Sequence, residues 1–294
     1  MKLAPIEYLR PRTETELLAA LARHGTDAAI LAGGQSLIPE LALRSRAARV
    51  VIDINQLAGA GGIGHAPREG GDRLELRIGP LARHGEAATH ELVRAHAPLL
   101  AMAAAHVGNA AVRNRGTVCG ALAHADPAGE FPLAMVALDA RFTLRSSQGQ
   151  RILPAEDFFT GAFATARRSD EYLAEVRLPC AGPHDYHFFD EIARRPTAPA
   201  YASVALLARC RPGQVPEVRL AFSGVSDRPR LLGTTALGLA RHPTDADGAR
   251  AVMRAELARF VPDGDAAYRL HLAATLLERA RAALCRHLDG MPQP

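Results

Sequence analysis

The chain has 294 residues, 48% hydrophobic and 22% charged, which is enough for about two domains around a sizeable core. Aromatic residues make up 5% and tryptophan is absent, which argues against stacking platforms for single-stranded nucleic acid. The net charge of +4 is carried almost wholly by arginine, with Lys2 the only lysine. The tightest groups (Arg44/Arg46/Arg49, Arg113/Arg115, Arg194/Arg195) form neither a polybasic run nor a DNA-reading motif.

Taken in chain order, the first section reads as βα units. Residues 15–23 carry Leu17, Leu18 and Leu21 at helical spacing, Ala28–Leu31 reads as a strand, Leu37–Leu43 as a short helix and residues 50–54 as a buried strand. Residues 73–78 alternate through Leu74, Leu76 and Ile78, the period of a half-buried strand. Residues 86–107 read as an Ala-rich helix interrupted at Pro98, and residues 113–126 as a loop. A helix follows at 131–140, a strand at 141–145, a turn at Gln148-Gly149 and an alternating strand at 172–178 that Pro179 stops.

Composition shifts at 179–183, where the domain boundary is placed. Beyond it lie three strand-like stretches (186–192, 201–207 and 218–225) and two helices (246–260 and 266–288). Strands followed by helices give a small α+β unit. The expected limits are 1–180, divided near residue 58, and 185–290; only residues 290–294 read as a loose terminus.

Cys119, Cys180, Cys210 and Cys285 are widely separated with no C-x-x-C, which excludes the usual spacing of a zinc ribbon or an iron–sulfur cluster, and no metal site is expected. With no apolar leader and no apolar run near 18 residues, the chain reads as a reduced, cytoplasmic protein without a membrane span. His90-Glu91 with His96 resembles a zincin motif, but the second histidine comes too late for one helical face, so an exposed helix surface is expected. Gly59, Gly61 and Gly64 match G-x-G-x-x-G, yet Pro67, Gly70-Gly71 and an alternating strand follow where a dinucleotide fold needs a helix; a hairpin connection is expected instead.

Two segments carry more chemistry. In LAGGQSLIP (31–39) Gly33-Gly34 follows the strand, Gln35 and Ser36 bring hydrogen-bonding side chains, and Leu37-Ile38-Pro39 returns to apolar packing. Such a bend presents successive N–H groups to one point, a nest suited to phosphate, although a glycine pair is also the ordinary way to turn a chain. In RNRGTVCGALAHADPAGEFP (113–132) Gly116 and Gly120 bracket Thr117, Asp126-Pro127 favours a turn, and Glu130 opens an apolar helix. A carboxylate there is stabilised by the helix dipole and equally suits a ribose hydroxyl. Two such segments in one domain can hold a long diphosphate ligand from both sides.

LAGGQSL followed by NRGTVCGALAHADPAGEFP resembles the FAD-binding (medium) subunit of molybdenum hydroxylases, the xanthine dehydrogenase and aerobic carbon monoxide dehydrogenase family. DEYLAEVRLP and FDEIARR extend the resemblance over nearly the whole chain. It implies an α+β fold: a two-lobed PCMH-type FAD-binding domain, then a small α+β domain with a three-stranded sheet and helices. Leu31, Ala32, Gly33, Gly34, Gln35, Ser36, Leu37 and Ile38 would form the first FAD loop. Thr117, Val118, Cys119, Gly120 and Ala121 would form the second, on the diphosphate. Val107 would pack near the flavin, Glu130 would take the ribose and Leu173 would lie against the isoalloxazine.

Three positions depart from the family pattern. Cys119 replaces the first glycine of a T-I-G-G pair, so either this position is not left-handed or the loop is altered. Asp190 and Glu191 stand nearest to where some members carry a lysine beside the flavin, and Pro196–Pro199 replaces a short polar stretch. The resemblance implies an electron-transfer subunit. A small partner would hold two [2Fe–2S] clusters, a large partner the molybdopterin, and FAD would pass electrons to NAD, a quinone or oxygen. The rival readings are a self-contained flavin-dependent oxidoreductase of the same superfamily and a binding module that keeps the fold without flavin.

Overall fold

The computed structural model describes residues 3–67, 74–211, 213–261 and 265–291; Gly70, Gly71, Arg73 and the last three residues, on which parts of the sequence reading fall, lie outside them. Among the described residues the chain builds three layers on its three larger sheets, besides a two-stranded pair.

The first is a parallel three-stranded sheet of β1 (Glu7–Leu9), β2 (Ala28–Leu31) and β3 (Val50–Asp53) in the order β1-β3-β2. Helix α1 (Glu14–His24) starts at Thr13, whose hydroxyl accepts the Glu16 N–H at 3.2 Å while the Glu16 carboxylate returns to the Thr13 N–H. Leu17 and Leu21 of α1 pack on one face of the sheet against Val50 and Ile52. Val51 faces the other way, onto Leu37 and Leu41 of α2 (Leu37–Leu43). All four residues of β3 are buried because both faces of this parallel sheet are covered.

The second layer is antiparallel, in the order β4 (Ile63–Pro67), β5 (Leu74–Ile78), β10 (Tyr172–Pro179), β6 (Arg141–Ser146) and β7 (Gly149–Pro154). Contrary to expectation, the glycine run is not a hairpin connection: it leads from β3 into β4, Gly64 lies within β4, and the hairpin is the pairing of β4 with β5 that follows. The expected alternation of β5 is broken: Leu74 is exposed, whereas Glu75 is buried and receives an Arg141 hydrogen bond at 2.5 Å.

Between β5 and β6 the chain is more helical than expected. The single interrupted helix at 86–107 is instead α3 (His84–Thr89), α4 (Glu91–His96) and α5 (Pro98–His106). His90 leaves helical geometry and its ring caps α4 through the Leu92 N–H, while Pro98 begins α5, where its missing N–H does no harm. The expected loop at 113–126 is largely α6 (Ala110–Arg115) and α7 (Val118–His124), followed by α8 (Glu130–Ala137). Asn109 and Thr117 cap α6 and α7, each directly after a glycine. Short α9 (Ala155–Phe158), β8 (Phe159–Gly161) and β9 (Ala164–Thr165) lead into β10.

The third layer is a sheet of four strands, not three: β11 (Tyr186–Ala193), β12 (Ala200–Arg209), β13 (Glu217–Ser223) and a two-residue β14 (Arg230–Leu231). In β12, Ala205 and Leu207 join the core of the second layer, whereas Val204 and Leu206 face α10 (Gly233–Arg241), α11 (Ala246–Leu257) and α12 (Ala266–Asp289). The central strand is therefore sandwiched, and its side chains alternate between two cores. Helix α10 is absent from the sequence reading, and β14 is too short to give a periodic signal.

Candidate functional site

β2 ends at Leu31, opposite Asp53. The next carbonyl, of Ala32, accepts the Asn55 side-chain amide at 2.8 Å, so the chain leaves the sheet in a fixed direction. Gly33 then runs against the other segment. A Cβ built on it would overlap the Arg115 carbonyl oxygen and lie 2.7 Å from the Gly116 Cα, so only glycine fits. Gly34 follows with φ +73°, a left-handed backbone favourable to glycine. Ile38 is the first residue after the bend whose N–H finds a backbone acceptor, the Gly34 oxygen at 3.2 Å. Among the described residues, no hydrogen bond forms from the N–H groups of Gly34, Gln35, Ser36 or Leu37, and Ser36 gives α2 no side-chain cap.

The second segment is pinned by a short antiparallel contact. The His84 N–H donates to the Gly116 carbonyl at 3.0 Å and the Val118 N–H to the Ala82 carbonyl at 2.9 Å. Thr117 then starts α7, its hydroxyl accepting the Gly120 N–H at 3.2 Å. The His84 ring lies behind it, with Nε2 2.9 Å from the Thr117 carbonyl, so the neutral ring donates there. Burial pushes the His84 pKa down to about 4, and its Nδ1 has no partner among the described residues.

The two segments share one cleft of about 910 Å³, open mouth included. Ala32, Gly33, Gly34, Gln35, Ser36 and Leu37 line one side, and Thr117, Cys119, Gly120 and Ala121 the other. Leu173 joins them beside Tyr172, at a register shift of β10 that displaces it from regular alternation. Leu31 and Ile38 line an adjoining cleft that shares the Ala32–Gln35 wall.

The remaining predicted residues line neither cleft. The Val118 side chain is fully buried in the core of the second layer. Val107 ends α5, where its carbonyl accepts the Arg113 guanidinium at 3.0 Å. Glu130 opens α8 near His106, Glu191 and Asp126; burial first, then those two carboxylates, push its pKa up to about 7. His106 bridges to Glu191 at 3.3 Å, and the carboxylate raises its pKa. Val107 and Glu130 thus share a neighbourhood with Glu191, one of the two acidic residues that depart from the family pattern, while Asp190 pairs with Arg279 at 2.9 Å.

Cys119 is resolved by the helix: it sits in α7, not in a left-handed loop, with Sγ 3.6 Å from the Gly79 carbonyl. Burial pushes its thiol up to about 12, so it acts as a small apolar filler.

Sequence reasoning missed the cations of the cleft. Arg46 and Arg167 line it with His84 and His124. Arg167 bonds to the Arg168 and Glu171 carbonyls at 2.9 and 2.7 Å, and burial together with Arg46 lowers its pKa. In the sequence Arg167 is one arginine among many; only the fold directs it here.

An apolar wall, a left-handed glycine bend, open N–H donors and two guanidinium groups, Arg167 part-buried and Arg46 exposed, fit a ligand with an anionic diphosphate and a flat apolar end. The comparisons agree. The family described as the FAD binding domain in molybdopterin dehydrogenase matches residues 4–181, and the CO dehydrogenase flavoprotein C-terminal domain matches residues 187–284. The carbon monoxide dehydrogenase medium chain of Hydrogenophaga pseudoflava is 32% identical over 282 residues, covering 93% of this chain and 95% of the relative. Caffeine dehydrogenase subunit beta of Pseudomonas sp. is 34% identical over 230 residues, 78% of this chain and 76% of the relative.

Among solved structures, carbon monoxide dehydrogenase from Hydrogenophaga pseudoflava superposes with a TM-score of 0.88 at 30% identity, over 98% of this chain and 99% of that one. Quinoline 2-oxidoreductase from Pseudomonas putida 86 gives 0.85 at 31%, over 97% and 99%. The chain belongs to the family of FAD-binding medium subunits of molybdenum hydroxylases.

Proposed function

We propose that this chain is the electron-transfer subunit of a heterotrimeric molybdenum hydroxylase, standing between the [2Fe–2S] clusters of a small partner subunit and an external acceptor such as NAD, a quinone or oxygen. A large molybdopterin subunit would oxidise the substrate. The observation that carries the reading is the meeting of Gly33 with Arg115–Gly116, which turns two remote segments into one cleft with open N–H donors. Relatives named as subunits or medium chains of dehydrogenases support the multi-subunit arrangement. No helix among the described residues is long and apolar enough to cross a membrane.

Leu31–Ile38 and Thr117–Ala121 would hold the FAD diphosphate through main-chain N–H groups, with Arg46 and Arg167 balancing its charge. Leu173 would lie against the ring system, Val107 would pack near it and Glu130 would accept the ribose hydroxyls. When bound, FAD would supply the redox chemistry, taking electrons singly and releasing them in pairs. The protein's own part is to position, to exclude water and to set the local charge. The working domain limits remain 1–180, with lobes near 1–58 and 59–180, and 185–290.

The test is to tag the chain in its source cell, purify the assembly and identify the partners by mass spectrometry. The expected outcome is one small iron–sulfur chain and one large molybdopterin chain, with about one FAD per copy of this subunit. A solitary yellow protein that turns over a small molecule would replace this reading with the self-contained oxidoreductase. A colourless protein that takes up no FAD would replace it with the binding module.

A further inference from the structure

Three metal-ligating side chains that the flavin reading does not use meet at the β4 edge of the five-stranded sheet: His65, His96 and Cys180. One ligand atom from each lies within 4.8 Å of the others. The sheet register makes this meeting. His65 of β4 is opposite Leu76 of β5, and Leu76 is opposite Leu178 of β10, two residues before Cys180. His96 closes α4, and its carbonyl accepts the Ala181 N–H at 2.8 Å, which fixes α4 against the chain leaving the sheet. The two imidazoles stand edge to face with centroids 4.7 Å apart. His65 is exposed and the other two are half-buried, so an ion has access from solvent. The H-E-x-x-H-like spacing is split by the fold: His90 caps α4, while His96 turns to this cluster.

The donor set is two imidazole nitrogens and one sulfur, with no carboxylate. Hard cations that require oxygen, such as magnesium and calcium, are disfavoured by it, and a borderline-soft ion is favoured. Zinc takes this mixture at about 2.0–2.1 Å to nitrogen and about 2.3 Å to sulfur, distances that side-chain rotation brings within reach here. We propose that His65, His96 and Cys180 bind one zinc ion, with water in the fourth position. Binding displaces the thiol proton and joins three segments far apart in sequence: the edge strand β4, the end of α4 and the stretch that leads from β10 to the C-terminal domain. The ion then acts as a staple, remote in sequence from both glycine-bearing segments.

The experiment uses the FAD-loaded protein, stripped with a chelator and titrated with zinc chloride against a chromophoric zinc indicator. One zinc per chain is expected, with a rise in Tm of about 5 °C. Cys180→Ser is expected to lose the tight site and His65→Ala, at an exposed edge position, to weaken it at least tenfold. Flavin content in both variants reports that they are folded. X-ray absorption at the zinc edge reads the coordination directly, and one sulfur with nitrogen and oxygen neighbours is expected. Uptake well below one zinc per chain, uptake unchanged in folded Cys180→Ser protein, or a coordination shell without sulfur would each overturn the assignment.

Discussion

Arg83 and Asn55 are joined by a hydrogen bond from Arg83 Nη2 to Asn55 Oδ1 at 2.9 Å, and through it the two glycine-bearing segments are held together. Asn55 fixes the Ala32 carbonyl at the start of the first bend, and Arg83 Nη1 donates to the Arg115 carbonyl just before the second. Asp53 anchors Asn55 in turn, accepting its side-chain amide at 2.6 Å. Arg83→Met keeps the aliphatic stem but leaves the Asn55 and Arg115 acceptors without a donor. Hydrogen bonds to a charged group contribute about 1.5–3 kcal/mol, and part of that is the positioning of the cleft. FAD affinity is expected to fall about tenfold, or about 1.4 kcal/mol, read as the flavin-to-protein ratio during dialysis. Unchanged retention would show that the bridge does not position the site.

The close approach at Gly33 predicts a sharper loss. In Gly33→Ala the new methyl meets main-chain atoms of Arg115 and Gly116, which cannot swing aside like a side chain. In Gly34→Val a β-branched residue is placed at φ +73°, 3.2 Å from both Ile38 and Leu31 side-chain carbons. Both variants are expected to purify without flavin, with circular dichroism and melting curves showing a retained fold. Full flavin content in folded Gly34→Val protein would contradict the assignment of the first segment.

His84 predicts an acid limb to stability. The residue is 5% exposed, its ring donates to the Thr117 carbonyl, and burial lowers its pKa from the ordinary 6.5 to about 4. Between those values the unfolded chain binds a proton that the folded chain does not, so stability falls as pH falls from 6.5 towards 4. The shift corresponds to about 3 kcal/mol. His84→Gln keeps a donor for the Thr117 carbonyl but does not titrate. Denaturant melts at pH 7 and 4.5 should show the wild-type protein losing roughly 2–3 kcal/mol more than the variant. Equal losses would place the acid sensitivity elsewhere.

The outcome of the sequence reading follows from the kind of signal each residue carries. β2, α1 and α2 were legible because they have local signals, apolar spacing and a glycine bend directly after a strand, whereas the three-residue β1 is too short to give one. Residues 113–126 were misread because the same glycines and short polar residues that suggest a loop also serve as caps; Thr117 is a cap precisely where Gly116 breaks the chain between two short helices. The third layer hid α10 behind a Gly-Thr-Thr start with no acidic first turn. The Arg83 side chain and the His65–His96–Cys180 cluster were out of reach because their partners lie more than 20 residues away, and Arg167 because only the fold brings it beside Arg46 and the cleft. Those pairings are set by sheet register and helix docking, which leave no local pattern.

Glu130 separates a structural carboxylate from a ligand-binding one. Its folded pKa near 7 lies above the ordinary 4.5, so in the free protein it favours the fold below pH 4.5 and that contribution is lost as pH rises through 7. Glu130→Gln removes the cost of ionising the group in the fold. Without FAD, the variant should therefore match the wild-type protein at pH 4.5 and exceed it by about 2 kcal/mol at pH 8, the full linkage value being reduced because the residue is only partly buried. If Glu130 also accepts the ribose hydroxyls, the ionised form binds FAD more tightly, so wild-type affinity rises from pH 5.5 to 8.5 by about tenfold, the gain of a charge-assisted hydrogen bond over a neutral one. In Glu130→Gln that rise should be absent. A wild-type affinity flat across this range, with the stability difference intact, would leave Glu130 as a buried helix-terminal carboxylate and assign the ribose to another group.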